Sequence, residues 1–198
     1  MVEVAARAAC QPEVGQEEWA PTQPIFTIGH STRPLEQFID LLQVHGVTLV
    51  ADVRTVPRSR HNPQFNRDTL PEALAAAGIG YRHLAALGGL RRTSPGSPNT
   101  GWRNASFRGF ADYIQTVEFA AGLDELLGLT QQWQVVIMCA EAVPWRCHRS
   151  LIADALFARG ILVEHIVSAG RTQGHRPTPF ARIEGHCVTY PAADGQEE

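Results

Sequence analysis

The sequence predicts a three-layer α/β/α sandwich with a mostly parallel β-sheet, which is a Rossmann-like architecture. Short β-rich segments alternate with segments of helical periodicity along most of the chain. Residues 47–53 and 135–139 are almost continuously apolar, as expected of parallel strands that are buried on both faces. Because parallel strands are joined by right-handed helical crossovers, the alternation predicts helices on both faces of the sheet.

The first elements are a strand, a turn and a helix. Residues 25–28 form a short β-rich segment that leads into a Gly-His-Ser sequence. From Leu35 to Leu42, apolar residues recur at the i, i+3, i+4 and i+7 positions of an amphipathic helix. Pro34 suits the first turn of this helix, and Gly46 is a natural stop.

The alternation continues after the second strand, at residues 47–53. Thr69 and Glu72 have the spacing of a capping box, which predicts a helix that ends at Ala77 and a strand at residues 81–84. A long loop rich in Gly, Pro, Ser and Asn follows, and we expect it to be a lid or a mobile connection. This loop spans residues 87–105, and the later elements are a helix at 107–129 with a break at Gly122, a strand at 135–139, a helix at 150–159 and a final parallel strand at 161–167.

Length and composition predict one domain. A chain of 198 residues with 44% hydrophobic residues can form one core of ordinary size. We expect a disordered N-terminal tail (residues 1–24), a single α/β domain (residues 25–191) and a flexible C-terminal tail (residues 192–198). Near the end of the domain, residues 187–190 predict a short strand.

The composition argues against a membrane protein and against a secreted one. No apolar stretch approaches the roughly 20 residues of a membrane span, and the N-terminus lacks the continuous apolar centre of a signal peptide. Four cysteines in a chain of this length do not resemble a disulfide-dense secreted scaffold, so free thiols are expected. We therefore expect a soluble, cytoplasmic protein.

One loop concentrates the reactive side chains of the chain. Cys139, Glu141, Cys147, His148 and Arg149 all lie between the strand at 135–139 and the helix that follows. The N-terminus of a helix stabilises an anion or a thiolate, and a thiolate is a competent nucleophile or metal ligand. Cysteine can also be a small apolar core residue. The cysteines of this loop are therefore interpreted as nucleophiles, as metal ligands or as core residues, and all three interpretations stay open at this point.

Two other strands end in polar residues. Gly29-His30-Ser31 follows the first strand, and Asp52-Val-Arg54 ends the second. In open α/β sheets, ligands bind at the carboxyl ends of the strands. We therefore expect these residues to meet the cysteine loop at one edge of the sheet.

Together these motifs resemble the family called domain of unknown function 488. The residues that carry the resemblance are Thr27-Ile-Gly-His-Ser31, Asp52-Val-Arg54 with Pro57 and Ser59, Leu87-Gly-Gly89, Cys139-Ala-Glu141 and Cys147-His-Arg149. The resemblance extends from Ile25 to about Val167 and implies a fold and a candidate site rather than a reaction. A looser similarity links the chain to rhodanese-like domains and cysteine phosphatases. However, the position six residues after Cys139 is Trp145 and not the arginine of a standard phosphatase loop.

The leading hypothesis is an enzyme, a hydrolase or transferase that acts on a phosphate-bearing substrate or a nucleotide. Its candidate catalytic groups are a nucleophile (Cys139 or Cys147), an acid/base (His148 or His30) and an orienting carboxylate (Asp52 or Glu141). Its candidate substrate-binding groups are Ser31, Arg54, Ser59 and Arg149. The motifs specify neither a cofactor nor an oligomeric state.

Two alternatives remain beside the enzyme. The first is a zinc or iron site, with ligands drawn from His30, Cys139, Glu141, Cys147 and His148. The second is a nucleic-acid-binding module, because residues 54–108 contain nine arginines and only two acidic residues. In that module Arg58, Arg60, Arg91, Arg92, Arg103 and Arg108 would contact phosphates while Trp102 or Phe107 stacks on a base. The overall charge of −3 argues against this alternative.

Overall fold

The computed structural model describes residues 23–192. The expectations for residues 1–22 of the N-terminal tail and for residues 193–198 therefore lie outside the described part of the chain. The main sheet has six strands: β1 (Ile25–Gly29), β2 (Leu49–Asp52), β3 (Gly80–His83), β4 (Val135–Cys139), β5 (Val163–Ser168) and β6 (Arg171–Gly174). Their order in the sheet is β3-β2-β4-β1-β5-β6.

The first five strands are parallel, and β4 lies in the middle of the sheet. β4 pairs with β1 on one side and with β2 on the other, and β5 adds to the far side of β1. The register sets Gly29 opposite Cys139, and Asp52 opposite Met138. The carboxyl ends of the three central strands therefore meet at one edge, as the sequence predicted.

Helices cover both faces of the sheet. The five helices in the described part of the chain are α1 (Leu35–Val44), α2 (Leu70–Ala76), α3 (Ala105–Tyr113), α4 (Val117–Thr130) and α5 (Arg149–Phe157). Alternate residues of β4 point into different cores: Val135 and Ile137 pack with α3, α4 and α5, whereas Val136 and Met138 pack with α1 and α2. This arrangement confirms the three-layer α/β/α fold.

The helix predicted at residues 107–129 is in fact two helices, and the predicted break at Gly122 is wrong. α3 ends at Tyr113 and α4 begins at Val117, where the hydroxyl of Thr116 accepts a hydrogen bond from the backbone N–H of Phe119 at 3.3 Å. A capped start of this kind ends one helix and begins the next. Gly122 lies inside α4, where a Cβ atom would approach Ala86 to 2.8 Å, so its role is close packing.

The capping box predicted at Thr69 does not form. The hydroxyl of Thr69 donates to the carbonyl oxygens of Pro63 and Asn66, at 3.0 and 3.3 Å, and makes no capping bond to α2. A threonine hydroxyl can bond earlier backbone groups as readily as a helix N-terminus, and sequence spacing does not separate the two cases. The helix itself is present.

The C-terminal segment extends the sheet and closes over α5. β6 pairs antiparallel with β5, and the predicted strand near residue 187 is β8 (Cys187–Thr189), which pairs with β7 (Arg182–Glu184). The carboxylate of Asp154 in α5 is fully buried and accepts from His175 Nε2 at 2.9 Å, Thr178 Oγ1 at 2.7 Å and Tyr190 Oη at 2.8 Å. One buried carboxylate therefore ties this segment to the domain.

Two expectations about the protein's class can be compared with the structure. None of the helices in residues 23–192 has the length and apolar character that a membrane crossing requires. Cys139 and Cys147 are free thiols, but Cys187 is disulfide-bonded, contrary to the expectation of free thiols throughout.

Candidate functional site

A pocket of about 710 Å³ opens at the carboxyl edge of the sheet, where β1, β2 and β4 end. Eight of the ten residues selected from the sequence are within its lining: His30, Ser31, Arg54, Ser59, Cys139, Glu141, Cys147 and His148. Asp52 and Arg149 are buried behind this lining. The structure thus brings the candidate residues together, and their catalytic and binding roles stay predictions.

The two cysteines and His148 form a compact cluster on the wall of the pocket. Sγ of Cys139 and Sγ of Cys147 lie 3.8 and 3.7 Å from Nδ1 of His148. Cys139 is the last residue of β4, and Cys147 lies just before α5. Both thiols are buried, with exposed fractions of 7% and 3%. We call these three residues the thiol–imidazole cluster.

The two thiols of the cluster differ in charge near neutral pH. The hydrogen bond donated by Cys139 lowers the pKa of the Cys147 thiol to about 7 in spite of its burial, and the charge and backbone N–H of Arg149 act in the same direction. Donation to Cys147 and burial raise the pKa of Cys139 far above its ordinary value. Cys147 is therefore the more acidic thiol of the pair and is partly ionised near pH 7, whereas Cys139 keeps its proton.

His148 is oriented by a backbone carbonyl and by close packing. Its Nε2 donates to the carbonyl oxygen of Val53 at 3.0 Å, so in the neutral imidazole the lone pair is on Nδ1 and faces the two sulfurs. The ring packs edge-on against Phe110, with centroids 5.0 Å apart. A Cβ atom on Gly89 would lie 2.6 Å from the ring, so residue 89 must be glycine for the imidazole to fit.

Asp52 and Arg54 form a buried ion pair beneath the pocket. Arg54 Nε and one terminal nitrogen donate to the two carboxylate oxygens of Asp52 at 2.9 and 2.6 Å. Tyr81 donates to the same carboxylate at 2.7 Å, and Arg54 also donates to the carbonyl oxygen of Phe65 at 2.7 Å. Asp52 thus has no exposed surface and orients Arg54, which reaches the pocket wall.

His30 is held by hydrogen bonds on both ring nitrogens. Its Nδ1 donates to the carbonyl oxygen of Ser31 at 2.8 Å, and its Nε2 accepts from Arg54 at 3.3 Å. The ring also stacks on Phe65, with centroids 4.3 Å apart. Burial lowers the pKa of His30 to about 4, with a further contribution from the Arg54 charge. His30 is therefore neutral at pH 7, and its lone pair is already engaged.

Arg149 supports the loop after β4 from behind. Its guanidinium donates to the carbonyl oxygens of Glu141 and Ala142, at 2.5 and 2.9 Å, and its exposed fraction is 1%. The loop also approaches β1 so closely that a Cβ atom on Gly29 would lie 1.7 Å from the carbonyl oxygen of Glu141. This geometry indicates that Arg149 positions the loop, and its expected substrate-binding role stays a prediction.

Three further candidates are on the pocket rim. Glu141 is exposed, and its side chain lies outside the thiol–imidazole cluster. Ser31 has a φ of 52°, an uncommon conformation for a residue other than glycine, and its N–H donates to the carbonyl oxygen of Ala140 at 2.8 Å. Ser59 Oγ accepts from the backbone N–H of Asn62 at 3.0 Å.

Several residues of the pocket were not among the ten candidates for the enzyme site, although Arg58 and Phe107 had been assigned to the nucleic-acid alternative and Gly89 to the family resemblance. Arg58 and Arg146 line it with exposed side chains, and neither guanidinium has a hydrogen-bond partner within residues 23–192. Gly89 and Phe107 come from the long loop and from α3. Arg58 lies beside the Asp-Val-Arg motif and Arg146 beside Cys147, so proximity to the motifs was the one signal available.

Four of the nine arginines between residues 54 and 108 have internal partners. Arg54 pairs with Asp52, Arg82 with Glu125, Arg91 stacks on Tyr113 at 3.6 Å, and Arg108 donates to the carbonyl oxygen of Trp102. Trp102 itself stacks on Phe107 with centroids 4.7 Å apart, which commits both rings to packing. The nucleic-acid hypothesis stays a prediction, and no feature of this segment favours it over a solvated loop.

The long loop itself is tied to α3. Ser94 N, Ser97 Oγ and Asn99 Nδ2 all donate to the carboxylate of Asp112. Three loop residues thus share one anchor, and the side-chain oxygen of Asn99 also accepts from Tyr190 N at 2.9 Å. The suggestion of a lid stays a prediction, which would have to concern the part of the loop around Gly89 and Leu90 that borders the pocket.

Comparison with known proteins gives one match. A family model described as domain of unknown function DUF488 matches residues 34–156, which is well over half of the chain. The match includes Asp52 and the whole thiol–imidazole cluster, but it is shorter at both ends than the resemblance inferred from the motifs and begins after His30 and Ser31. No curated protein and no solved structure matches the chain. Since the matched range contains β2, β4 and the pocket loop between β4 and α5, the chain belongs to the family defined by the domain of unknown function DUF488.

Proposed function

We propose that this protein is an enzyme that binds a small phosphate-bearing substrate in the pocket and depends on the thiolate of Cys147 for turnover. The observation that carries the proposal is that one pocket holds an acidic thiol and two guanidiniums without a hydrogen-bond partner among residues 23–192. Phosphate groups are recognised by arginine forks and by backbone N–H groups, and both are present here.

The guanidiniums of Arg58 and Arg146 supply the charge. They lie on the pocket lining and have no internal acceptor among residues 23–192, so an anion would be their partner. Arg54 adds a third positive group, although Asp52 neutralises much of its charge. Among the described residues of the lining, Glu141 is the one acidic side chain, so the positive charge is in excess there.

Backbone N–H groups supply further donors. The carbonyl oxygen of Ala140 accepts from Ser31 N, and that of Glu141 accepts from Arg149. All peptide bonds in the described residues are trans, so the N–H that follows each carbonyl points the opposite way. The N–H groups of Glu141 and Ala142 therefore point away from these partners, and both residues line the pocket. By holding the Ala140 carbonyl, Ser31 N orients the N–H of Glu141, and by holding the Glu141 carbonyl, Arg149 orients the N–H of Ala142.

The backbone amides at the start of α5 offer fewer free N–H groups to an anion in the pocket than a free helix N-terminus would. Cys147 N donates to Pro144 O and Ser150 N donates to Cys147 O, while the N–H of Arg149 interacts with the Cys147 sulfur. The positive end of this helix dipole therefore stabilises the thiolate form of Cys147 more than it stabilises an anion elsewhere in the pocket. Cys147 is accordingly the cysteine on which we expect turnover to depend.

The experiment compares two neighbouring arginines. Arg58 lines the pocket, whereas Arg60 is exposed and lies outside it. Binding of inorganic phosphate and of nucleoside monophosphates is measured by calorimetry for the wild type, Arg58→Ala, Arg146→Ala and Arg60→Ala. We expect each pocket variant to bind about 10-fold more weakly, which corresponds to about 1.4 kcal/mol, and Arg60→Ala to bind as the wild type does.

Turnover is then tested on a panel of phosphate monoesters and nucleotides. Cys147→Ser should lose turnover while it keeps phosphate affinity, because the guanidiniums remain. Equal losses of binding in Arg58→Ala and Arg60→Ala would indicate a diffuse electrostatic effect and contradict the pocket. Absence of phosphate binding by the wild type would refute the proposed substrate class.

A further inference from the structure

We propose that Cys139, Cys147 and His148 together bind one divalent transition-metal ion of the zinc class, with a fourth coordination position open to the pocket. The ligand atoms are the two Sγ atoms and Nδ1 of His148. This inference goes beyond the proposed function, because the site stands on its own geometry whether or not the substrate is an anion.

The three donor atoms have the separations that a shared metal requires. Nδ1 of His148 lies 3.8 Å from Sγ of Cys139 and 3.7 Å from Sγ of Cys147, and all three atoms lie within 4.8 Å of one another. With metal–sulfur bonds of about 2.3 Å and metal–nitrogen bonds of about 2.0–2.1 Å, tetrahedral angles set sulfur and nitrogen about 3.6 Å apart. Both observed separations agree with this value within the tolerance of about 0.2 Å expected for a metal site.

Hydrogen bonds alone do not engage all three potential ligand atoms of the thiol–imidazole cluster. Nε2 of His148 carries the proton that it donates to Val53 O, so Nδ1 of the neutral ring has a single lone pair. Two sulfurs lie at nearly equal distances from this one lone pair, and a hydrogen bond would engage at most one of them. A metal ion at the centre of the triangle engages the lone pair and both sulfurs together.

The surroundings of His148 are those of a metal ligand. Ligating histidines donate their other ring N–H to a carbonyl or carboxylate that fixes the tautomer, and Val53 O serves this role at 3.0 Å. Phe110 contacts the ring edge-on and Gly89 packs directly against it. The imidazole is therefore held with Nδ1 towards the sulfurs before any ion arrives.

The coordination set is incomplete on the pocket side. Within residues 23–192, the group of closely spaced potential ligands consists of these three residues. His30 does not join them, since its Nδ1 donates to Ser31 O and its Nε2 accepts from Arg54. All three ligands line the pocket, so the fourth position is available to water or a substrate oxygen. Three protein ligands with one open position are typical of catalytic zinc, and two thiolates with an imidazole favour zinc over magnesium or calcium.

The first test uses the full chain and no substrate. Zinc content is measured by elemental analysis after purification without chelator, and the metal-free chain is titrated with Co²⁺ under reducing conditions. We expect about one zinc per chain and a tetrahedral Co²⁺ spectrum with thiolate-to-cobalt charge-transfer absorption. Stoichiometric zinc should also protect Cys139 and Cys147 from alkylation, as read by mass spectrometry of their peptides.

Variants connect the metal to the cluster. His148→Gln and Cys139→Ser should lower zinc affinity at least about 10-fold, while His45→Gln, a matched change at a histidine outside the pocket, should leave it unchanged. If either cluster variant misfolds by circular dichroism, the Co²⁺ spectrum and the alkylation pattern of the wild type still decide the question. A wild-type chain without zinc and without thiolate-to-cobalt absorption overturns the proposal.

The two proposals fail separately. Phosphate binding without metal binding would leave the proposed substrate class in place and make Cys147 a free thiolate. Metal binding without phosphate binding would support this inference and refute the anionic substrate.

Discussion

Acidification should destabilise this fold through two buried histidines, His30 and His165. Burial lowers the pKa of each to about 4, from 6.5. For His30, the nearby charges are those of Arg54, Asp52 and Arg149. The charged and titratable groups near His165 are His175, Asp154 and Arg149. Its Nδ1 forms a hydrogen bond with Thr27 Oγ1 at 2.7 Å, and its exposed fraction is 6%. Both imidazoles are therefore neutral in the folded protein at pH 7.

The sign and size of the effect follow from proton binding. Between about pH 6.5 and 4, the unfolded chain binds a proton at each imidazole and the folded chain does not, so the free energy of unfolding falls as the pH falls. From about pH 7 to pH 5, the loss is about 2 kcal/mol for each histidine and about 4 kcal/mol for both. This is a large part of the stability of an ordinary domain, which is about 5–15 kcal/mol.

The assay is urea unfolding at pH 7 and at pH 5, followed by circular dichroism. The wild type should lose about 4 kcal/mol, while His165→Gln should start less stable and lose only about 2 kcal/mol over the same interval. His45→Gln is the control, because His45 bonds Ser168 O at the surface and should leave the full pH dependence intact. A wild-type loss below about 1 kcal/mol, or an unchanged loss in His165→Gln, would refute the reasoning.

Three further predictions follow from packing, burial and thiol chemistry. Gly29→Ala should lower the free energy of unfolding by more than about 3 kcal/mol, because its Cβ would lie 1.7 Å from a loop carbonyl oxygen. Gly128→Ala, in open space on α4, should raise the free energy of unfolding by about 0.5–1 kcal/mol. Thermal unfolding of the two variants measures the difference between them. Asp154→Asn should cost about 2–3 kcal/mol in the same assay, since an amide cannot accept all the bonds that the buried carboxylate accepts, and unchanged stability would contradict its anchoring role. In metal-free protein, alkylation of Cys147 should rise with pH about a midpoint near 7 while Cys139 stays slow, and mass spectrometry that finds Cys139 the faster thiol would reverse their assignment.

The fold and the location of the site could be predicted because they depend on local features. The continuous apolar run of β4 indicates a strand buried on both faces, and the positions of Asp52 and Cys139 at strand ends follow from that assignment. The parallel topology then brings strand ends to one edge. None of these steps requires knowledge of how a side chain packs.

The orientation of the site residues could not be predicted, because it depends on contacts between distant parts of the chain. Arg149 follows a cysteine loop and resembles an anion clamp, but the approach of that loop to Gly29 provides two carbonyl oxygens for its guanidinium. His30 resembles a free acid/base, but Arg54 reaches its lone pair. In the same way, helical periodicity from Phe107 onward continues across the capped break at Thr116, because a short turn preserves the spacing.

The position of β4 between β1 and β2 has a consequence for how the molecule is assembled. Within the described sheet, β1 and β2 share no hydrogen bonds with each other, and each depends on a strand that is made more than eighty residues after β2. A nascent chain that has not yet reached Val135 therefore holds His30 and Arg54 on two strands with no common neighbour. Since β4 joins those strands and delivers Cys139 in the same step, the centre of the sheet forms and the pocket acquires its first thiol in one folding event, before β5 and β6 are made.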